Sequence, residues 1–226
     1  MLASNQNYFS TLAQEGQFNA VFNNQAVTVD ASKIDGFIAF PNAPSVLNNE
    51  VATAFMSLYD GNGDNTFTFY PNVYENLTSH SVIYSDWKNA MKSTYNSSSV
   101  CSIGTKSDNF GKNINIYVKT TLNANIDSTI NVAVYIINES VVATQDTSLT
   151  NNNINYVHHN VLMGKLGDSN FGSSCKNKSS GSTNNSSFSY NVPDGVDRSN
   201  LKFVAVVFEM WGGKPKRVLN CRTIKL

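Results

Sequence analysis

Charge, histidine and cysteine are all scarce in this sequence, and each shortage removes a class of function. Asp, Glu, Lys and Arg make up 14% of the 226 residues and cancel to a formal net charge of zero. Phosphate backbones and anionic lipid are captured mainly by clustered Lys and Arg, so nucleic acid is excluded as a partner and the composition offers little pull toward a lipid surface. A basic cluster such as Lys214-Pro215-Lys216-Arg217 reads as a solvated turn. No window approaches the roughly 18 to 20 consecutive apolar residues of a transmembrane helix. The opening MLASNQNYFS has neither the basic start nor the apolar run of a signal peptide, and an export signal is expected to have been removed. The three cysteines, Cys101, Cys175 and Cys221, form no Cys-x-x-Cys pair, which excludes a dithiol redox centre. Gly-x-Ser-x-Gly is also missing, so no nucleophile elbow is predicted. Glu139, Asp146 and Glu209 have no spacing that would fix a carboxylate pair for glycoside cleavage.

What is present begins with 41% hydrophobic residues, enough for a real core over one elaborated domain or two small ones, and two are expected. Surface polarity comes from abundant Asn and Ser. Residues 1–96 read as mixed α and β. Strands are predicted at Gln17–Phe22 and Gly36–Phe40, the second ending at Pro41, which cannot donate to a ladder. Helical spacing of Val46, Leu47, Val51, Ala54, Phe55 and Leu58 predicts a helix over Ser45–Tyr59, and Ser85–Tyr95 reads as another, capped by Ser85 or Asp86. From residue 97 the pattern changes to short alternating runs between Asn-rich turns, the mark of an antiparallel sandwich. Strands are predicted at Val100–Thr105, Ile114–Leu122, Ile130–Asn138, Val141–Thr144, Tyr156–Met163, Ser187–Val192, Leu201–Met210 and Arg217–Leu226. Ser173–Ser187 has no apolar anchor except Cys175 and reads as a mobile loop.

Several residues could carry chemistry. Asp60, Asn62 and Asp64 alternate as oxygen ligands do at the start of a calcium loop, but Asn65 replaces the expected Gly and Pro71 the bidentate Glu. An EF-hand is excluded; a looser Ca2+ turn and an ordinary Asx-rich turn both stay open. No other cofactor is expected. His158 and His159 point to opposite faces if they lie on a strand, so they cannot share one metal by strand geometry, and a site would need a third ligand such as His80. They read instead as weak partner-binding or sheet-edge residues. Trp211 enters a Gly-Gly hairpin, where an indole can meet a partner or simply anchor the tip. The aromatic set Phe67, Phe69, Tyr70, Tyr74, Tyr84 and Trp87 could stack on sugar rings or form core. The cysteines read equally as buried small hydrophobes or as one bridge plus one thiol; a Cys175–Cys221 bridge would tie the Ser/Asn loop to the last strand.

The stretch from Asn131 to Gly172 joins an apolar strand to Tyr-Val-His-His-Asn-Val-Leu. With the Trp87 segment, the Asn131–Gln145 strand and turn, Tyr156–Leu162 and the Phe203–Leu226 ending, it resembles the outer-membrane protein 28 family of Bacteroidota and related Gram-negative bacteria. The resemblance covers residues 85–226 well and the first 85 weakly. It implies an exported protein of the periplasm or outer-membrane surface, peripheral or lipid-anchored, with a protein or glycan partner at the cell envelope. It also implies a thioredoxin-type fold before the sandwich, with Phe40-Pro41-Asn42-Ala43-Pro44 similar to the family's aromatic-Pro strand end. The expected fold class is therefore α+β: a reduced thioredoxin-like α/β region over residues 1–96, then an antiparallel Ig-like β-sandwich over 97–226. The expected function is non-catalytic, a binding or adhesion module. The alternatives are a degenerate thioredoxin-fold protein that binds peptides or another partner without dithiol chemistry, and a metal- or carbohydrate-dependent enzyme.

Overall fold

A computed structural model describes residues 2–3, 37–38, 49–51, 54, 73–75, 78–80, 99–145, 153–224 and 226. Four short strands come first: β1 (Leu2–Ala3), β2 (Phe37–Ile38), β3 (Val73–Glu75) and β4 (Thr78–His80). The long ones follow as β5 (Cys101–Phe110), β6 (Asn113–Leu122), β7 (Thr129–Asn138), β8 (Val141–Gln145), β9 (Asn153–His158) and β10 (Val161–Leu166). The chain ends with β11 (Ser173–Ser174), β12 (Thr183–Asn191), β13 (Leu201–Trp211) and β14 (Lys214–Ile224). One sheet runs β14-β13-β7-β10-β2-β1-β3-β4, with β11 also on β7; a second runs β12-β6-β5; among the described residues β8 and β9 form a two-stranded sheet with each other.

Period-two alternation explains the smaller sheet. On β6, Ile114, Ile116, Val118, Thr120 and Leu122 are buried while Tyr117 and Lys119 are exposed, as a sheet with one solvated face requires. These residues meet Ile130, Val132, Val134 and Ile136 of β7 and Phe203, Ala205 and Val207 of β13 in the inter-sheet core. β7 and β13 do not alternate, because both of their faces are covered. Ala133, Tyr135, Ile137, Val204, Val206, Phe208 and Met210 form a second cluster on the far side of the large sheet, joined by Leu162 and Val51. At one edge the sheets are tied by side chains of β14 that cap β5 carbonyls: Asn220 Nδ2 donates to Cys101 O at 2.8 Å and Arg222 Nη1 to Ile103 O at 3.1 Å. These bonds satisfy edge carbonyls that would otherwise invite another strand.

The expected α+β class with a thioredoxin-like region is overturned. The described elements are β-strands and, apart from the minimal β1/β2 and β10/β2 pairings, the ladders are antiparallel. Helical geometry among the described residues is confined to Glu50, Val51, Ala54 and a 3-10 turn at Arg198–Asn200. The strands β1 to β4 extend the sandwich's own large sheet instead of building a separate α/β layer. A short apolar run such as Gly36–Phe40 fits a parallel α/β strand and a sheet extension equally well, which is why its pattern misled. Glu50, Val51 and Ala54 fall within the helix predicted over Ser45–Tyr59. The strand predicted at Gln17–Phe22, the helix at Ser85–Tyr95, Pro41, Pro44 and the 96/97 boundary lie outside the described residues.

Two further corrections concern the sandwich itself. The strand predicted as Tyr156–Met163 is broken into β9 and β10, because Asn160 adopts φ 54, a left-handed conformation that Asn tolerates better than most residues. The Ser/Asn loop is built rather than loose: β11 pairs with β7, β12 starts at Thr183, and amides bridge the turn between them. Asn177 N donates to Asn184 Oδ1 at 2.9 Å, Asn184 Nδ2 to Asn177 O at 2.9 Å, and Asn177 Nδ2 to Thr183 O at 2.8 Å. Side-chain amides supply the order that apolar anchors would give elsewhere.

Candidate functional site

Two groups of polar residues stand out, one at each end of β7. At the end marked by Asn138 the chain leaves the large sheet as the β8–β9 ribbon and returns as β10. A set of polar contacts fastens that exit. Glu139 N donates to Asn200 O at 2.8 Å. His159 Nδ1 lies 2.6 Å from Glu139 O, and since a carbonyl only accepts, that nitrogen carries the proton. The Glu139 carboxylate pairs with Lys202, whose Nζ also reaches Asn160 Oδ1 at 3.3 Å. Ser140 N closes the turn by donating to Asn138 Oδ1 at 2.9 Å.

The ribbon held by this latch has two unlike faces. Val141 opposes His158 on one, and with Ala143 and Val161 it makes a small buried cluster. On the other face Val142 opposes Val157, and both are exposed, Val142 at 56%. His158 is 3% exposed, so it is part of the packing and not of the surface. His159 lies just past the end of β9, so the strand geometry expected for the two neighbours does not apply to it.

At the opposite end lies Glu209, buried at 4% and opposite Arg217 in the β13–β14 ladder. Burial alone would raise its pKa, but hydrogen bonds from Lys216, Ser128 and Arg217 and the guanidinium charge outweigh it and hold the carboxyl down at about 2. Ser128 Oγ donates to Oε1 at 2.6 Å, Lys216 Nζ to Oε1 at 2.8 Å and Arg217 Nε to Oε2 at 2.6 Å. Both carboxylate oxygens are engaged by donors, two on Oε1 and one on Oε2, which favours the ionised form. Just beyond it, Trp211 pairs with Lys214 around Gly212 and Gly213, whose φ of 56 and 79 make the two-residue turn that suits a twisted hairpin. Trp211 is 71% exposed.

The thiols are free and lie in different environments. Cys101 is buried in the inter-sheet core, where burial pushes its pKa up to about 12. Cys175 packs against the same core, and burial raises its pKa to about 11 against the opposing effect of the Thr120 hydroxyl. Cys221 packs on the far cluster, with its neighbour Val206. The structure thus places Cys175 and Cys221 on opposite faces of the large sheet. Asp60, Asn62 and Asp64 lie outside the described residues, as do Phe67, Phe69, Tyr70, Tyr84 and Trp87, while Tyr74 and His80 are described in backbone only. Among the described residues no three His, Cys, Asp or Glu converge as metal ligands.

Sequence reasoning missed the Glu139–Lys202 pair and the Ser128–Glu209 bond, whose partners are separated by more than sixty positions. The only local signal was Asn138-Glu139 at a strand end, three residues before the short strand.

Comparison with known proteins gives three findings. The family model of the outer membrane protein Omp28 matches residues 64–226. A crystallised domain of the outer membrane lipoprotein Omp28 from Porphyromonas gingivalis is similar at 17% identity and TM-score 0.38, over 57% of this chain and 88% of that one. A protein of Agrobacterium tumefaciens is similar at 10% identity and TM-score 0.48, over 91% of this chain and 85% of that one. No curated protein matches significantly.

Proposed function

Since the chain belongs to the outer membrane protein Omp28 family, an exported family of the Gram-negative envelope, we propose that it is a non-catalytic binding or adhesion module there, attached peripherally or through a lipid. Among the described residues no helix is long and apolar enough to cross a membrane. The observation that carries the reading is the β8–β9 ribbon: a two-stranded arm, latched at its base by Glu139, His159, Asn160 and Lys202, that presents Val142 and Val157 side by side to solvent. An exposed apolar pair on a fastened arm costs solubility and is the kind of surface that a protein or glycan partner covers.

Of the described groups, the thiols Cys101 and Cys175 are held protonated and Glu209 is held ionised by its donors, so these three do not exchange a proton near neutral pH.

The test is binding of a panel of soluble glycans and envelope proteins to the purified chain and to the double variant Val142→Glu/Val157→Glu. The reading expects at least one partner, bound about tenfold more weakly by the variant at an unchanged melting temperature, as loss of a small apolar contact implies. Equal binding by both proteins would move the site off the ribbon, and turnover of any panel member would replace the reading with catalysis.

A further inference from the structure

The net charge of zero conceals a segregation that only the fold makes visible. The end of the sandwich carrying Trp211 is assembled from three segments joined by hydrogen bonds. The hairpin at Trp211–Lys214 is tied through Glu209 to Ser128, which ends the turn between β6 and β7. That turn is tied to the loop before β12: Ile126 N donates to Lys178 O at 2.9 Å, Ser180 N to Asn125 Oδ1 at 2.8 Å, and Gly181 N to Leu122 O at 2.8 Å. Onto this one platform project Lys176, Lys178 and Lys214, all exposed, together with Lys216 and Arg217. The acids on that half among the described residues are Asp127, the exposed Asp168 of the β10–β11 turn and the buried Glu209, and Glu209 is already shared by Lys216 and Arg217.

The other end is balanced. Lys112 pairs with Asp194, Lys202 with Glu139 and Lys106 with Asp108. With Arg198, which bonds the Gly111 carbonyl, next to Asp197, cations and acids are therefore equal in number at the ribbon end, whereas cations outnumber acids at the Trp211 end, among the described residues.

We propose that the Trp211 end docks on a bilayer surface carrying anionic headgroups, with the indole seated at headgroup depth and Lys176, Lys178 and Lys214 against the phosphates. Two independent features select this occupant. An indole held out on a rigid two-residue turn has an apolar body and one N–H donor, the combination that settles at a membrane–water interface. Lysines projecting from the same end add attraction to anionic lipid that no neutral partner would repay. The geometry also orients the molecule. The β8–β9 ribbon leaves from the Asn138 end of β7 and Trp211 lies beside the Thr129 end, so a ten-residue strand, about 33 Å at the usual rise per residue, separates the docked end from the base of the arm. The proposal goes beyond the binding role assigned to the ribbon and stands without it.

The experiment is cosedimentation of the purified chain with vesicles of phosphatidylcholine alone and of phosphatidylcholine with phosphatidylglycerol, at low and high salt, together with tryptophan emission. Binding to the anionic vesicles, weakened by salt, and a blue shift of emission are expected. Trp211→Ala should abolish the shift and weaken binding about tenfold, and Lys176→Gln/Lys178→Gln/Lys214→Gln should weaken it by about tenfold or more. Comparing the parent with Trp211→Ala separates Trp211 from the second tryptophan, Trp87. Lys112→Gln, at the other end, should bind as the parent does, and all variants should melt at the parent temperature because every altered residue is exposed. No binding at low salt, binding indifferent to both sets of variants, or a blue shift that survives Trp211→Ala would each overturn the proposal. So would capture of a soluble anionic polysaccharide as tight as capture of vesicles without any blue shift, which would make the end a polyanion site.

Discussion

Ser128 and Glu209, 81 positions apart in sequence, are joined by a 2.6 Å hydrogen bond beneath the surface, and the same carboxylate oxygen takes a second bond from Lys216. Glu209 is thereby the pin that holds the β6–β7 turn to the last hairpin. Its folded pKa, about 2, lies below its ordinary value of 4.5, so the folded state favours the ionised form. Stability from this group is complete above the ordinary value and drains away as pH falls from about 4.5 toward about 2. A shift of that size corresponds to about 3 kcal/mol at neutral pH. Glu209→Gln should lose about 2 to 3 kcal/mol at pH 7 and show a shallower acid limb, read by urea unfolding at pH 7 and pH 3. A parent protein equally stable at both pH values would refute the assignment.

The latch at the ribbon base predicts a local effect. His159→Ala removes the bond to the Glu139 carbonyl and should cost about 1 kcal/mol. Hydrogen exchange should quicken in β8 and β9 while β7 and β13 keep their protection. Uniform loss of protection across the sandwich would mean that His159 supports the whole fold and not the arm.

Asn160 separates two kinds of constraint. Its φ of 54 suits glycine, so Asn160→Gly should be neutral within about 0.5 kcal/mol, whereas Asn160→Val forces a β-branched residue into the left-handed region and should cost about 2 kcal/mol. Chemical denaturation of the pair decides it, and similar values for both would show that the Asn side chain, through Lys202, matters more than the backbone.

Gly172 and Gly181 both have positive φ, 83 and 79, but different surroundings. A Cβ on Gly172 would overlap the Val132 carbonyl of β7, whereas one on Gly181 would meet open space. Gly172→Ala should cost more than about 3 kcal/mol or prevent folding, and Gly181→Ala about 1 kcal/mol. Comparable melting temperatures would contradict the close approach of the 172 turn to β7.

The thiols should react in order of exposure. With burial raising its pKa to about 12, Cys101 should resist alkylation at pH 8 until the protein unfolds, while the half-buried Cys221 is modified in the folded state. Mass spectrometry of native and denatured samples reads this directly, and rapid native labelling of Cys101 would show that the inter-sheet core opens.

Sandwich strands were legible because their cause is local. Ile114, Ile116 and Val118 alternate with polar residues whatever lies elsewhere in the chain, and Ile130 to Asn138 is an apolar run of strand length bounded by polar turns. The break at Asn160 was not, since Asn in the left-handed region and Asn in a strand look alike without the backbone. The Ser/Asn loop was misjudged for a related reason: order there comes from Asn177 and Asn184 bonding each other, and the rule that unanchored polar segments move takes no account of amide pairs. The candidate sites divide the same way. Trp211 beside Gly-Gly announces an exposed tip, but Lys176 and Lys178 join Lys214 only through the sheet topology, so the basic end was invisible in a sequence whose total charge is zero.

Strand β7 completes its ladders with β10, β11 and β13, and the last of these begins at Leu201. Its second edge therefore stays open during synthesis until nearly the whole chain has emerged, and β14 must then close β13 from the far side. Contacts of such long sequence separation form late and slowly. Among the described residues the large sheet cannot be completed early, and it gains its rigid shape only once the C-terminal hairpin is through. The wiring of one central strand suits a polypeptide that must be threaded across a membrane before it folds.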